Sequence, residues 1–243
     1  MKYFYITGTS KGLGKALAIK LLEDSNNFVY GFARTKTIIH QNYGHYFLDF
    51  SNLEDVDAFR FDRTDYTGVE EVVLINNAAT ITEIVHYDKK TTNEIINDFH
   101  VNLISPAILT RRFMYAYRKF IGKRMVINIS SGAGKQPISA LNTYCASKAA
   151  IDMLSKVIAK EEKEKSERNP FHIFSIDPGI MDTKMMAHIR EANPNEFSSH
   201  ENFIKYKTDN RLSKPEDIAR KIVEVLKNPQ KFPEVLIDLR NIE

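Results

Sequence analysis

Lys2-Tyr3-Phe4-Tyr5-Ile6-Thr7-Gly8-Thr9-Ser10-Lys11-Gly12-Leu13-Gly14 reads as a strand, 2–7, that runs directly into a glycine-rich turn. Gly8 permits a tight turn, Gly12 lets the backbone approach a pyrophosphate, and Gly14 allows the next helix to pack closely on the strand. That helix is announced by Leu13, Leu17 and Leu21 at four-residue spacing, with Ala18 and Leu22 on an adjoining stripe. Its N-terminus, rich in unpaired N–H groups, suits an anion. A phosphate-hydrolysing P-loop is the nearest rival, and it fails twice. Five residues rather than four separate Gly8 from Gly14-Lys15, and Ala16 stands where the magnesium-binding hydroxyl would be.

Outward from this unit, short apolar runs rich in branched and aromatic residues recur at 28–33, 46–48, 72–75, 125–130, 173–176 and 235–239, making seven strands with the first. Helical patterns fill the gaps at 13–22, 53–61, 92–120, 144–164 and 215–226. Alternation of this kind predicts an α/β fold, a doubly wound parallel sheet with helices on both faces, and one domain over 1–243. Ligands in such sheets sit beyond the carboxyl ends of the strands, where Gly8, Arg34, Asp49, Asn76, Ser131 and Pro178 would gather. The one long stretch without a strand, 180–212, carries Met181, Met185, Met186, Ile189, Phe197 and Phe203. It reads either as a substrate-binding segment or as one or two extra helices packed in the ordinary way.

Composition narrows the possibilities. A formal charge of +3 with basic and acidic residues intermixed gives no nucleic-acid stripe, and the charged run 160–168 alternates in sign like a solvated helix end. A single cysteine, Cys145, excludes an internal disulfide and suits a reducing compartment, so a cytoplasmic protein is expected. No apolar run approaches the roughly 18 residues of a membrane span, and a strand starting at the second residue leaves no room for a signal peptide. Seven scattered histidines, none paired at a helical three- or four-residue offset, argue against a catalytic metal.

The chemistry-bearing feature is Tyr144-Cys145-Ala146-Ser147-Lys148, a phenol and an ammonium four residues apart on one helix face. A neighbouring positive charge favours the phenolate, so this spacing predicts a phenol that releases its proton closer to neutrality. Tyr115 and Lys119 share the spacing. Only Tyr144 has a hydroxyl partner thirteen residues earlier, Ser131, since the residue thirteen before Tyr115 is Asn102. Ser130 is the neighbour of Ser131 at the same strand end, and because successive strand side chains point to opposite faces only one of the two can reach the site.

Taken together, Thr7 to Gly14, Asn76-Asn77-Ala78-Ala79, Ser131, Tyr144 with Lys148, and Pro178-Gly179 resemble the short-chain dehydrogenase/reductase family, whose marks are TGxxxGxG, NNAG, a serine, YxxxK and PG in this order. Ala79 replaces the last glycine of NNAG, a change that preserves the turn if its φ is negative. The resemblance implies that Tyr144 protonates a carbonyl oxygen while a nicotinamide gives hydride to its carbon, and that Ser131 holds the same oxygen. It also implies that Lys148 holds the nicotinamide ribose and that Asn102, in Val101-Asn102, supports a water linking the lysine to solvent. By the same resemblance Gly8, Ser10, Lys11, Gly12, Leu13 and Gly14 cradle the cofactor, Asp49 meets the adenine amino group, and Asn76 and Ala78 border the adenosine. Pro178 and Gly179 would also border the cofactor, and Ile180 and Thr183, just beyond them, would face the carboxamide.

Where dinucleotide folds that use NAD place an acid, this chain has Ala33-Arg34-Thr35, and Lys11 adds a second cation. Both favour the 2′-phosphate of NADP(H). The C-terminal run 235–239 lacks the glycine-rich tail usual in acyl-carrier-protein reductases of the family and looks more like its sepiapterin and benzil reductase branch. A small-molecule carbonyl substrate, a ketone or 1,2-diketone, is therefore expected, with Ile138, Leu141, Met181 and Met185 as pocket residues. The alternatives are a 3-oxoacyl thioester reductase, an NAD-dependent alcohol dehydrogenase, and a non-catalytic NADP-sensing protein. By family analogy 92–120 and 144–164 would form a homodimer or homotetramer.

Overall fold

The computed structural model describes residues 1–61, 66–165 and 169–242. The end of the charged run, 166–168, lies outside the described residues. Seven parallel strands form one sheet: β1 Lys2–Thr7, β2 Asn27–Ala33, β3 Tyr43–Phe47, β4 Glu71–Asn76, β5 Lys123–Ile129, β6 His172–Asp177 and β7 Leu236–Asp238. Their spatial order is β3-β2-β1-β4-β5-β6-β7, so the chain reverses its direction of winding between β1 and β4. The expected doubly wound, Rossmann-like sheet is thus the observed one, and the switch point opens the crevice in which such folds bind ligands.

Alternation within the strands divides the core. Phe4 and Ile6 of β1 and Val73 and Ile75 of β4 pack on one face with Leu17 and Ile222, from the helices α1 Gly12–Leu22 and α8 Pro215–Lys227. Tyr3, Tyr5, Val72 and Leu74 point the other way, toward Phe113 and Tyr117. Strands apolar on both sides need helices on both sides, which is why these read as continuous apolar runs. On the second face lie α2 Leu53–Ala58, α4 Ser105–Ala116 and α5 Asn142–Glu164, with α3 Thr92–Phe99 packed against α5.

Two helical expectations need correction. The helix expected over 53–61 stops at Ala58, because Phe59 has extended backbone (ψ 138). The long helix expected over 92–120 is two helices joined by a π-helical segment, His100–Ile104, and ends at Ala116. Pro106 explains the break. It has no N–H to give the Asn102 carbonyl four residues back, and the Ser105 N–H reaches the His100 carbonyl in the wider π pattern.

Segment 180–212 is not a bare loop. It contains α6 Lys184–Arg190 and α7 His200–Thr208, and Met186, Ile189, Phe197 and Phe203 form a third apolar cluster with Ile84, Ala140 and Leu141. Phe197 is fully enclosed, its ring 5.2 Å from that of Phe203, and a side chain of this size contributes roughly 2–3 kcal/mol by leaving water.

Candidate active site

A cleft of about 1180 Å³ opens at the carboxyl ends of the strands, with the glycine turn at one end and α5 to α7 at the other. Gly8 and Gly12 have φ of +77° and +57°, conformations that other residues adopt only with strain. Gly14 is required for a different reason: a Cβ there would lie 2.4 Å from the Gly8 carbonyl oxygen and from Asn77 Nδ2. The turn is braced from β4. The Asn77 and Ala78 N–H groups both donate to Thr7 Oγ1 at 2.9 Å, and Asn77 Nδ2 donates to the Thr7 carbonyl. Ala79 has a negative φ, the condition under which its methyl group leaves the turn intact.

At the far end of the same cleft are Ser131, Tyr144 and Lys148. Ser131 leaves β5 extended and caps the short 3-10 turn Gly132–Gly134, its Oγ accepting the Ala133 N–H at 3.2 Å. Ser130 lines the cleft as well, contrary to the expectation that only one of the two serines reaches it, but its buried Oγ has no hydrogen-bond partner. Tyr144 stands in the first turn of α5, half-buried. Lys148, 4% exposed, gives its ammonium to the Ile129 carbonyl at 2.8 Å. Tyr115, which shares the tyrosine–lysine spacing, is exposed on the outer face of α4 with Arg118 stacked on its ring at 3.9 Å, and does not line the cleft.

The electrostatics differ from the expectation of a lysine that lowers the phenol. Burial pushes the Tyr144 phenol up to about 12, outweighing a hydrogen bond with Ser131, while the Asp177 carboxylate adds to the rise. Burial also pulls Lys148 down to about 8, against the attraction of Asp152. The physical reason is that both groups share one water-poor site, where desolvation penalises the charged form of each. Tyr144 consequently keeps its proton at neutral pH.

Most of the expected site residues meet in this cleft. Gly8, Ser10, Lys11, Gly12 and Leu13 line the turn end, with Arg34, Asp49 and Ala78 beside them. Pro178, Gly179, Ile180 and Thr183 edge the middle, and Ile138, Leu141, Met181 and Met185 line the apolar end. Thr183 is partly committed, because its side chain caps α6 by accepting the Met186 N–H. Four do not line it: Gly14, Thr35, Asn76 and Asn102. Asn76 is turned into the sheet, donating to Thr110 Oγ1 and Asn128 Oδ1, and the neighbouring Asn77 lines the cleft instead. Asn102, 2% exposed, clamps one loop residue from both sides: its Oδ1 accepts the Thr80 N–H at 2.8 Å and its Nδ2 donates to the Thr80 carbonyl at 2.9 Å.

One group of cleft residues carries no mark in the sequence. Asp177 at the end of β6 accepts the Gly179 N–H and pairs with Arg240 at 3.2 Å and Lys135 at 3.5 Å; Asp238 pairs with the same two cations. Hydrogen bonding to Arg240 holds the Asp238 carboxyl down at about 2. These ion pairs fasten the C-terminal strand to the Pro178-Gly179 turn, and only the folded chain brings their members together.

A crevice at the switch point that joins a glycine-rich turn to a serine–tyrosine–lysine group marks the chain as an oxidoreductase of a class that uses nicotinamide cofactors. The chain belongs to the short-chain dehydrogenase family, whose model matches residues 2–194, and is accordingly an oxidoreductase of carbonyl and alcohol groups. It is similar to a benzil reductase ((S)-benzoin forming) of Bacillus cereus, 36% identical over 96% of this chain and 97% of that one, and to a second from Bacillus subtilis (strain 168), 34% identical over 93% of both. In fold it resembles a short-chain dehydrogenase/reductase of Saccharomyces cerevisiae, with a TM-score of 0.83 at 21% identity over 100% of this chain and 97% of that chain. The residues present fit a dinucleotide: left-handed glycines open the turn, and a Cβ at Gly14 would collide with it. No helix among the described residues is long and apolar enough to cross a membrane.

Proposed function

We propose that the protein is an NADPH-dependent carbonyl reductase that converts a small ketone or 1,2-diketone to an alcohol. The observation that carries this reading is that Ser131, Tyr144 and Lys148 share one cleft with the glycine turn. NADPH, when bound, supplies the hydride. Tyr144, a neutral phenol at physiological pH, gives its proton to the carbonyl oxygen, and the Ser131 hydroxyl donates a hydrogen bond to the same atom. Lys148 would hold the cofactor's nicotinamide ribose, and Gly8, Ser10, Lys11, Gly12 and Leu13 its pyrophosphate. Asn102 would contribute by fixing the Thr80 loop.

NADP is favoured over NAD by Arg34, which is 78% exposed at the edge of the cleft and held only loosely by Asp49 at 3.8 Å, with Lys11 nearby. A diketone is favoured by the half-buried Ile138, Met181 and Met185 at the other end, and by the two relatives named as benzil reductases. Assembly into a homodimer or homotetramer is supported by Tyr115 on α4 and by Met153 and Val157 on α5, all exposed. The free Cys145 suits a cytoplasmic setting.

Purified protein should oxidise NADPH, followed by absorbance, with benzil and related diketones. Turnover with acyl thioesters alone would favour the 3-oxoacyl thioester reductase, and turnover only with NAD and an alcohol would favour the dehydrogenase. Cofactor binding with no turnover of any carbonyl would leave the sensing protein.

A further inference from the structure

The chain buries a carboxylate that the proposed chemistry does not use. Asp98, in the last turn of α3, has no exposed surface and accepts four hydrogen bonds. Its Oδ1 takes the Thr82 N–H at 3.1 Å. Its Oδ2 takes the Thr82 hydroxyl at 2.8 Å, the Lys90 ammonium at 3.1 Å and the Thr143 hydroxyl at 2.5 Å. Lys90 is as thoroughly enclosed as its partner, with 2% of its side chain exposed. Removing both charges from water is costly, and well-packed apolar side chains would hold these segments together equally well. What a carboxylate adds is direction: four donors from three segments must meet it at fixed angles.

Those three segments frame the proposed proton donor. Thr143 precedes Tyr144 in the first turn of α5, the turn with the fewest main-chain hydrogen bonds of its own. Thr82 lies on the loop after β4, and its carbonyl meets His188 Nε2 of α6 at 3.2 Å, beside the Met185 wall of the cleft. Asn142 adds a parallel tie, its Nδ2 donating to the Val85 carbonyl at 3.0 Å. Leu141 and Tyr144 also pack the tip of α5 into the cluster of Ile84 and Phe197.

We propose that Asp98, paired with Lys90, is a positioning residue for Tyr144: through Thr143 it fixes the first turn of α5 so that the phenol meets Ser131 and the carbonyl oxygen. The proposal rests on Tyr144 being the acid. It implies that the Thr143 hydroxyl matters to the chemical step although it touches neither substrate nor cofactor.

The test is Thr143→Val, which keeps the shape and removes one donor while Thr82 and Lys90 still satisfy Asp98, measured beside Thr143→Ser and Tyr144→Phe. Expected for Thr143→Val is a roughly tenfold lower kcat with benzil and NADPH, a larger solvent isotope effect on kcat, and an NADPH Kd within twofold of the parent. Thr143→Ser should restore both kcat and the isotope effect. Should the valine variant not fold, Thr143→Ala takes its place with the same expectations. Parental kcat in Thr143→Val, or equal loss in Thr143→Val and Thr143→Ser, overturns the positioning role provided Tyr144→Phe is inactive. Retained turnover in Tyr144→Phe would instead remove the acid assignment itself.

Discussion

The Lys148 ammonium stands 5.5 Å from the centre of the Tyr144 ring and gives its hydrogen bond to the Ile129 carbonyl. The pair therefore works less as a cation lowering a phenol than as two groups in one water-poor site, where burial disfavours the charged form of each. A consequence is that the lysine, not the tyrosine, is the group that titrates near physiological pH.

The pH dependence follows. If the charged lysine holds the cofactor ribose, carbonyl reduction should fall with a single-proton limb as pH rises through about 8, with no second loss until Tyr144 ionises near 12. A rate of reduction that is flat from pH 7 to 10 at constant ionic strength would contradict this.

Stability should move in the opposite sense. An unfolded Lys148 keeps its proton to its ordinary value near 10.5, so between about 8 and 10.5 the unfolded chain binds more protons than the folded one. The burden of burying this charge is full below pH 8 and fades as pH rises toward 10.5. Lys148→Met should thus abolish reduction while stabilising the fold at pH 7 by about 1 kcal/mol, roughly the ionic penalty less the lost hydrogen bond. Thermal melts at pH 7 and pH 10 check this, the gain in Tm being expected at pH 7 and small at pH 10.

Adjacent serines should behave differently. Ser131→Ala removes the donor to the substrate oxygen and should lower kcat on the order of 100-fold. Ser130→Ala removes a buried hydroxyl that has no partner, so activity should persist and stability should hold or rise by up to about 1 kcal/mol. Steady-state kinetics with urea unfolding of both variants decides it.

Cofactor choice is carried by an exposed cation beside an exposed acid. Arg34→Asp would set a second carboxylate near Asp49, and a 2′-phosphate would then be repelled. The ratio of kcat/KM for NADPH to that for NADH should fall on the order of 100-fold, about 3 kcal/mol. An unchanged ratio would shift the preference to Lys11 or elsewhere.

What the sequence disclosed was local. Gly8, Gly12 and Leu13 are fixed by spacing within one turn, Tyr144 and Lys148 by spacing within one helix, and Ser131 by its thirteen-residue offset, so their meeting in the cleft is legible in the sequence. Adjacent residues that differ only in which face they take are harder to read: the strand turns Asn76 to Asn128 and leaves Asn77 for the cleft. The break at His100–Ile104 was signalled by Pro106, but apolar periodicity on both sides concealed it. Asp98 with Lys90, and Asp177 with Arg240, are pairings across segments that no periodicity encodes.

The central claim is that the Tyr144 phenol delivers the proton. Single-turnover reduction of benzil by NADPH-loaded Tyr144→Phe measures it most directly: the account predicts a rate 10²- to 10⁴-fold below the parent, with NADPH binding retained. A rate equal to the parent's would contradict it.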